Sequence, residues 1–246
     1  MQLHAFIPDE NPTRIDHAGF YRRWLSMIDD MAYLQSYVNR VSGTNEEDWV
    51  PLWREAGKNY EKEGDKLEAE KHFTEARICY LQARTYYSIG RFPGAISDMK
   101  KSISDDCNRA YAKSCAHLDP AVQEVIIEHQ GHQIKCHLRV PNTDGLHAAV
   151  LIMCGADMFK EDRGWAGDFC LDNDMVALIM DAPGTGDNLL PWAPASVSAW
   201  IEAVDYLAAL PSVDQERIGA FGISRGGYSV MQLAGHYSKK IKAVVA

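Results

Sequence analysis

From Phe20 to Val38 apolar side chains recur at three- and four-residue steps: Phe20, Trp24, Met27, Ile28, Met31, Leu34 and Val38. That is the period of one helix face. Gly43-Thr44-Asn45 ends the segment, and Thr44 or Asn45 can cap the next helix. A second helical stretch over 55–87 carries Tyr60, Leu67, Phe73, Ala76, Tyr80, Ala83 and Tyr87, and Gly64-Asp65 predicts a break that divides it in two. Gly90-Arg91-Phe92-Pro93-Gly94 reads as a turn, and 95–116 is helical again. Residues 69–92 have the small and aromatic spacing of a tetratricopeptide helix pair, but no second copy follows at about 34 residues. The expectation for 1–118 is a helical domain of cap type.

The pattern changes near Asp119-Pro120. Val125 and Ile127, then Ile134, Cys136, Leu138 and Val140, alternate with polar residues, and Gln130-Gly131-His132 lies between them as a turn. Half-buried strands alternate in this way, so a hairpin is predicted. After Pro141–Gly145 the runs become continuously apolar: 148–153, 175–180, 218–221 and 241–245. Helices fit at about 162–173, 194–209 and 225–237. Strands buried on both faces and alternating with helices imply a mostly parallel sheet with right-handed crossovers. The fold class is therefore α/β for 119–246, preceded by the helical domain.

Composition narrows the partners. With 46% hydrophobic and 24% charged residues the chain is of ordinary globular type. Its net charge of −9, without a Lys/Arg-dense block, argues against nucleic acid. No apolar run approaches the ~20 residues that span a bilayer, and Met1–Phe6 shows no signal-peptide pattern. The six cysteines (79, 107, 115, 136, 154, 170) contain no C-x-x-C pair and read as free thiols in a reducing cytoplasm, with no metal site expected.

The chemistry centres on Gly222-Ile223-Ser224-Arg225-Gly226, a G-x-S-x-G that directly follows a short apolar strand and directly precedes a helix. That context is what a nucleophile elbow requires, since the sharp turn lifts the serine hydroxyl out of the sheet. Gly222 and Gly226 remove side chains that would collide with neighbouring backbone. Ser224 is the expected nucleophile, and the helix behind it favours developing negative charge. Oxyanion donors are expected from the backbone N–H of Arg225 and from the loop after 148–153, with Ala156 first and Asp157 next.

Asp181-Ala182-Pro183-Gly184-Thr185-Gly186-Asp187 invites a dinucleotide-phosphate reading, but position 189 is Leu rather than a third glycine. A tight loop walling the active site fits better, and no cofactor is expected. The acid and base of a Ser…Asp/Glu…His order should follow Ser224, yet only 22 residues do. His236 falls within the helix, the histidines at 17, 72, 117, 129, 132, 137 and 147 precede the serine, and Asp205 and Asp214 come too early. The last residues, Val244-Val245-Ala246, lie in an apolar strand. A fragment is expected, inactive alone, with on the order of 100 residues or more beyond it.

Residues from about 120 onward resemble the α/β-hydrolases that include FrsA-like esterases and 2,6-dihydroxypseudooxynicotine hydrolase, with fungal polyketide-shortening hydrolases also similar. Three features carry the resemblance: the helical segment ahead of the core, the loop Asp181–Gly186, and the elbow Ile218–Gly227. The resemblance implies an α/β-hydrolase core, here incomplete at its C-terminal end, a Ser-Asp-His triad, a helical cap and a homodimer. It also implies cleavage of an ester or of a carbon–carbon bond in a β-dicarbonyl-type small molecule. Gly155-Ala156-Asp157 departs from the Gly-Gly pair common in the group, and the triad acid and histidine fall beyond residue 246. A cytoplasmic serine hydrolase without metal or organic cofactor is the leading expectation. The alternatives are a non-catalytic interaction protein on a degenerate hydrolase core and an acyltransferase, which shares every visible residue. Trp49, Trp53, Tyr86 and Trp192 are candidates to line a pocket, though aromatics at helical spacing are more often core.

Overall fold

The structure, a computed structural model, describes residues 24–246. Phe20 of the first apolar stripe and His17 lie outside these residues. The chain divides into two compact units that part between Ala116 and His117.

The first unit is helical: α1 (Met31–Val38), α2 (Glu46–Ala69), α3 (Phe73–Arg91) and α4 (Asp98–Cys115). Asp30, Asn45 and Ser97 cap α1, α2 and α4, each side chain accepting a backbone N–H of the first turn. The first apolar stripe is thus interrupted, with α1 beginning only after Asp30. The break predicted at Gly64-Asp65 does not occur, because α2 runs through it. Gly57 and Gly64, seven residues apart, instead seat the rings of Tyr87 and Tyr80, also seven apart on antiparallel α3. A Cβ on Gly64 would come within 2.6 Å of the Tyr80 ring, and one on Gly57 within 2.8 Å of Tyr87 Cζ. These glycines permit close helix approach. The real terminus is at Lys71, which takes φ 65 while its N–H bonds Glu68 O and that of His72 bonds Leu67 O. Residues 69–92 accordingly hold one 19-residue helix rather than a tetratricopeptide pair.

Trp49, Trp53 and Tyr86 are buried core residues of this unit, not pocket lining. Tyr86 stacks between Trp53 (6.1 Å) and Tyr60 (5.6 Å). Burial pushes the Glu61 carboxyl up, but hydrogen bonds from Arg109, Tyr87 and Lys113 outweigh it and bring the pKa down to about 2.

The second unit is a six-stranded mixed sheet in the order β1-β2-β4-β3-β5-β6. The strands are β1 (Gln123–His129), β2 (His132–Arg139), β3 (His147–Met153), β4 (Val176–Met180), β5 (Val213–Gly222) and β6 (Ile241–Val245). The predicted hairpin is β1–β2; Gln130 (φ 48) and Gly131 (φ 81) form its two-residue turn. β2 also runs antiparallel to β4, and the remaining pairs are parallel. The helices are α5 (Gly164–Asp172), α6 (Val197–Ala209) and α7 (Arg225–His236). Every residue of β4 is buried. Leu178 and Met180 pack in the cluster that contains Trp200, Leu207, Val230 and Leu233, whereas Ala177 and Ile179 pack with Ala166 and Cys170. Burial on both faces explains why β3 and β4 lack polar alternation. No helix among the described residues is long and apolar enough to cross a membrane.

Candidate functional site

β5 ends at Gly222, α7 begins at Arg225, and Ser224 stands in the turn between them with φ 60 and ψ −120. A non-glycine residue there is strained, and such strain persists only where surrounding contacts over-determine it. The contacts are visible. The N–H of Gly226 donates to Ile223 O at 3.0 Å, and that of Tyr228 to Ser224 O at 3.1 Å. A Cβ on Gly222 would meet Gly227 N at 2.8 Å, and one on Gly226 would meet Cys154 O at 2.8 Å. Elbow, helix and β3 therefore touch backbone to backbone. Ser224 is exposed, and none of the described residues hydrogen-bonds its hydroxyl.

The loop after β3 lies against this turn. Cys154 donates its N–H to Met180 O at 3.0 Å, and a Cβ on Gly155 would lie 3.3 Å from Ile223 O and 3.7 Å from Ser224 Cβ. Ala156 and Asp157 follow, both half-buried. Arg225 opens α7, its guanidinium 4.7 Å from the centroid of the Trp192 ring.

Lys160-Glu161-Asp162-Arg163 has the composition of a solvated loop, yet all four residues are buried. Lys160 Nζ reaches Glu161 (2.7 Å), Asp187 (2.6 Å) and Asp181 (3.3 Å). Asp181, fully buried, also accepts the backbone N–H of Lys160 at 2.7 Å and of Asp187 at 3.2 Å. One lysine and one aspartate thus clasp the segment after β3 to the segment after β4. Burial lowers the Lys160 pKa, but Asp181, Glu161 and Asp187 overcome it and hold the ammonium charged well above its usual range. Burial raises Asp181, against the pull of Lys160. The sequence marks Asp181 as the start of a glycine-rich loop but gives no sign of its partner Lys160, because only closure of the sheet brings 160 and 181 together.

The 181–188 loop consumes its own donors: Gly184 N–H goes to Asn188 O, Thr185 N–H to Ala182 O and Asn188 N–H to Thr185 O. Gly184 (φ 74) and Gly186 (φ 52) take conformations that favour glycine, and a Cβ on Gly186 would lie 2.6 Å from Asp181 Cγ. Few N–H groups are left for a phosphate, and Asp181 and Asp187 would repel one.

The three histidines buried among the described residues are engaged elsewhere. His129 contacts Glu202 (2.8 Å) and Ser198 (3.3 Å), His147 contacts Asp174 (3.1 Å) and Thr143 O (3.1 Å), and His137 lies 4.0 Å from Glu161. His236 is exposed. Asp205 and Asp214 bind Tyr237 and Arg217. The described residues show no group of three or more His, Cys, Asp or Glu that could hold a metal. On one face of the sheet a cavity of about 360 Å³ is lined by Val150, Ile152, Trp165, Phe169, Phe221 and other apolar side chains. It holds no polar group to orient a reacting bond. The six cysteines are free, and Cys107, Cys136, Cys154 and Cys170 are buried.

Known proteins share this architecture. The structure of a 2,6-dihydroxy-pseudo-oxynicotine hydrolase superposes with a TM-score of 0.74 at 21% identity, over 88% of this chain and 61% of that one. AbyA5 superposes with a TM-score of 0.75 at 19% identity, over 93% and 61%. In sequence, the esterase FrsA of Vibrio cholerae is 28% identical over 214 residues, 85% of this chain and 50% of the relative. The 2,6-dihydropseudooxynicotine hydrolase of Paenarthrobacter nicotinovorans is 23% identical over 213 residues, 86% and 58%. The chain spans about half the length of the curated relatives it matches. The family described as "Esterase FrsA-like" matches residues 25–246, and with the α/β sheet and strained serine turn in place, the chain belongs to the FrsA-like esterases of the α/β-hydrolase superfamily.

Proposed function

We propose that this protein is a serine hydrolase that cleaves an ester, or a carbon–carbon bond of a β-dicarbonyl-type small molecule, with Ser224 as nucleophile. The observation that carries the reading is the backbone of Ser224: a strained, exposed serine between the inward-packed end of β5 and a helix N-terminus. Ser224 Oγ attacks the carbonyl carbon and its proton passes to a base. The oxyanion accepts N–H bonds from Arg225 and Ala156. Collapse of the tetrahedral intermediate expels the alkoxide or enolate, which takes the proton back from the base, and water then releases the acid and restores the serine.

The base and its carboxylate partner belong, on this reading, to sequence outside the 246 residues, as the half-length match to relatives suggests. The helical unit would serve as the cap domain. A fluorophosphonate probe applied to the full-length protein tests the proposal. Labelling that disappears in Ser224→Ala supports it; labelling that survives the substitution, or none at all, removes it.

A further inference from the structure

Arg225 is distinctive for its surroundings. The chain carries 34 acidic against 25 basic residues, and several of its buried or half-buried cations are paired with carboxylates: Arg54 with Asp106, Arg139 with Asp168, Lys160 with three. Arg225, half-buried, makes no side-chain hydrogen bond or ion pair with any of the described residues. What holds it is a ring. Its guanidinium carbon lies 4.7 Å from the Trp192 centroid, and Trp192 packs in turn against Trp200 (6.2 Å) and Tyr228 (5.9 Å). Trp200 is fully buried, so the platform is anchored in the core. Trp192 is 40% and Tyr228 56% exposed.

A guanidinium stacked on indole keeps its N–H edge free, since the π face satisfies the cation without using the five donors. Its fork matches a carboxylate through two parallel hydrogen bonds. Stacking also fixes the side chain in advance, which lowers the entropy cost of binding. The position is equally specific. Arg225 is the neighbour of Ser224, about 3.8 Å away along the chain at Cα, and Trp192 belongs to the segment leaving β4 at the same carboxyl edge of the sheet.

We propose that Arg225, seated on Trp192, is a specificity-determining residue that selects substrates carrying a carboxylate a few bonds from the scissile carbonyl. The proposal rests on the reading of Ser224 as nucleophile. A purely structural arginine on an aromatic surface would affect neutral and anionic substrates alike.

The test uses the full-length protein with two acyl donors of matched length, 4-nitrophenyl butyrate and 4-nitrophenyl hydrogen succinate. Arg225→Met, which keeps the backbone N–H of residue 225, should lower the succinate-to-butyrate ratio of kcat/KM roughly 10- to 100-fold, mainly through the KM of the succinate ester. Arg225→Lys should restore part of the loss. Equal effects on both esters, or none on the succinate ester, overturn the proposal. Ser224→Ala distinguishes the two readings: turnover of butyrate surviving in that variant defeats the nucleophile assignment rather than the selectivity. Independently of turnover, titration with succinate should shift the Arg225 Nε–H NMR resonance while butyramide leaves it in place. A resonance unmoved by succinate also overturns it.

Discussion

Gly226 lies so close to Met153 that a methyl group on it would overlap the Met153 carbonyl oxygen and stand 2.8 Å from that of Cys154. The first turn of α7 thus presses directly on the end of β3, and the same contact brings Gly155 to the elbow. Because the obstructing atoms are backbone, neither side can yield by rotating a side chain. Gly226→Ala is expected to cost about 3 kcal/mol of stability, read by urea unfolding. A loss under about 0.5 kcal/mol would show that the elbow can shift.

Ser224 itself holds φ 60. Glycine adopts this conformation without the Cβ penalty, whereas alanine retains it. Ser224→Gly should therefore stabilise the protein by about 1 kcal/mol, while Ser224→Ala leaves stability near that of the wild type. Equal midpoints for the two variants in denaturant would contradict a strained elbow.

Removing Lys160 leaves Glu161, Asp181 and Asp187 facing one another without a cation. Lys160→Met should cost about 3–5 kcal/mol near neutral pH. The pH sign follows from linkage. Without the ammonium the folded-state carboxylate pKa values rise above their unfolded values of about 4. Stability is then retained below that pH and lost as pH rises through the folded values. Unfolding at pH 5 and pH 8 should show the larger deficit at pH 8; a larger deficit at pH 5 would refute the clasp.

Burial depresses the His137 pKa to about 4, with Glu161 opposing the shift. The unfolded imidazole, near 6.5, binds a proton that the folded one refuses. Stability should therefore be complete above pH 6.5 and decline as pH falls toward 4, by up to about 3 kcal/mol from this group. His137→Gln should flatten that part of the profile. An unchanged slope between pH 6.5 and 4 would assign the acid sensitivity elsewhere.

Tyr86, between Trp53 and Tyr60, carries a buried hydroxyl without a hydrogen-bond partner among the described residues. Replacing an unsatisfied polar group by its apolar counterpart removes a desolvation penalty. Tyr86→Phe should be neutral or stabilising by about 1–2 kcal/mol in thermal unfolding. Clear destabilisation would mean that the hydroxyl has a partner.

Local periodicity made much of this architecture legible. The hairpin, the apolar strands and the elbow helix appear where the pattern predicts them, because each reports which of its own faces is buried. The helical half was less readable. Gly64 has the composition of a break, but its missing side chain serves the Tyr80 ring of another helix. Lys71 has no breaker signature, yet takes the positive φ that ends α2.

Sequence by itself determined the order of elements, the mixed character of the sheet's entry and the place of Ser224 between strand and helix. These follow from hydrophobic period and from the room that glycine leaves. Only tertiary structure decided that Lys160 is buried on Asp181, that Gly226 meets Met153, and that Arg225 rests on Trp192 instead of a carboxylate. The reason is physical. Apolar burial is written in the spacing of one segment, whereas the partner of a charge or the neighbour of a glycine is chosen when distant segments close upon each other.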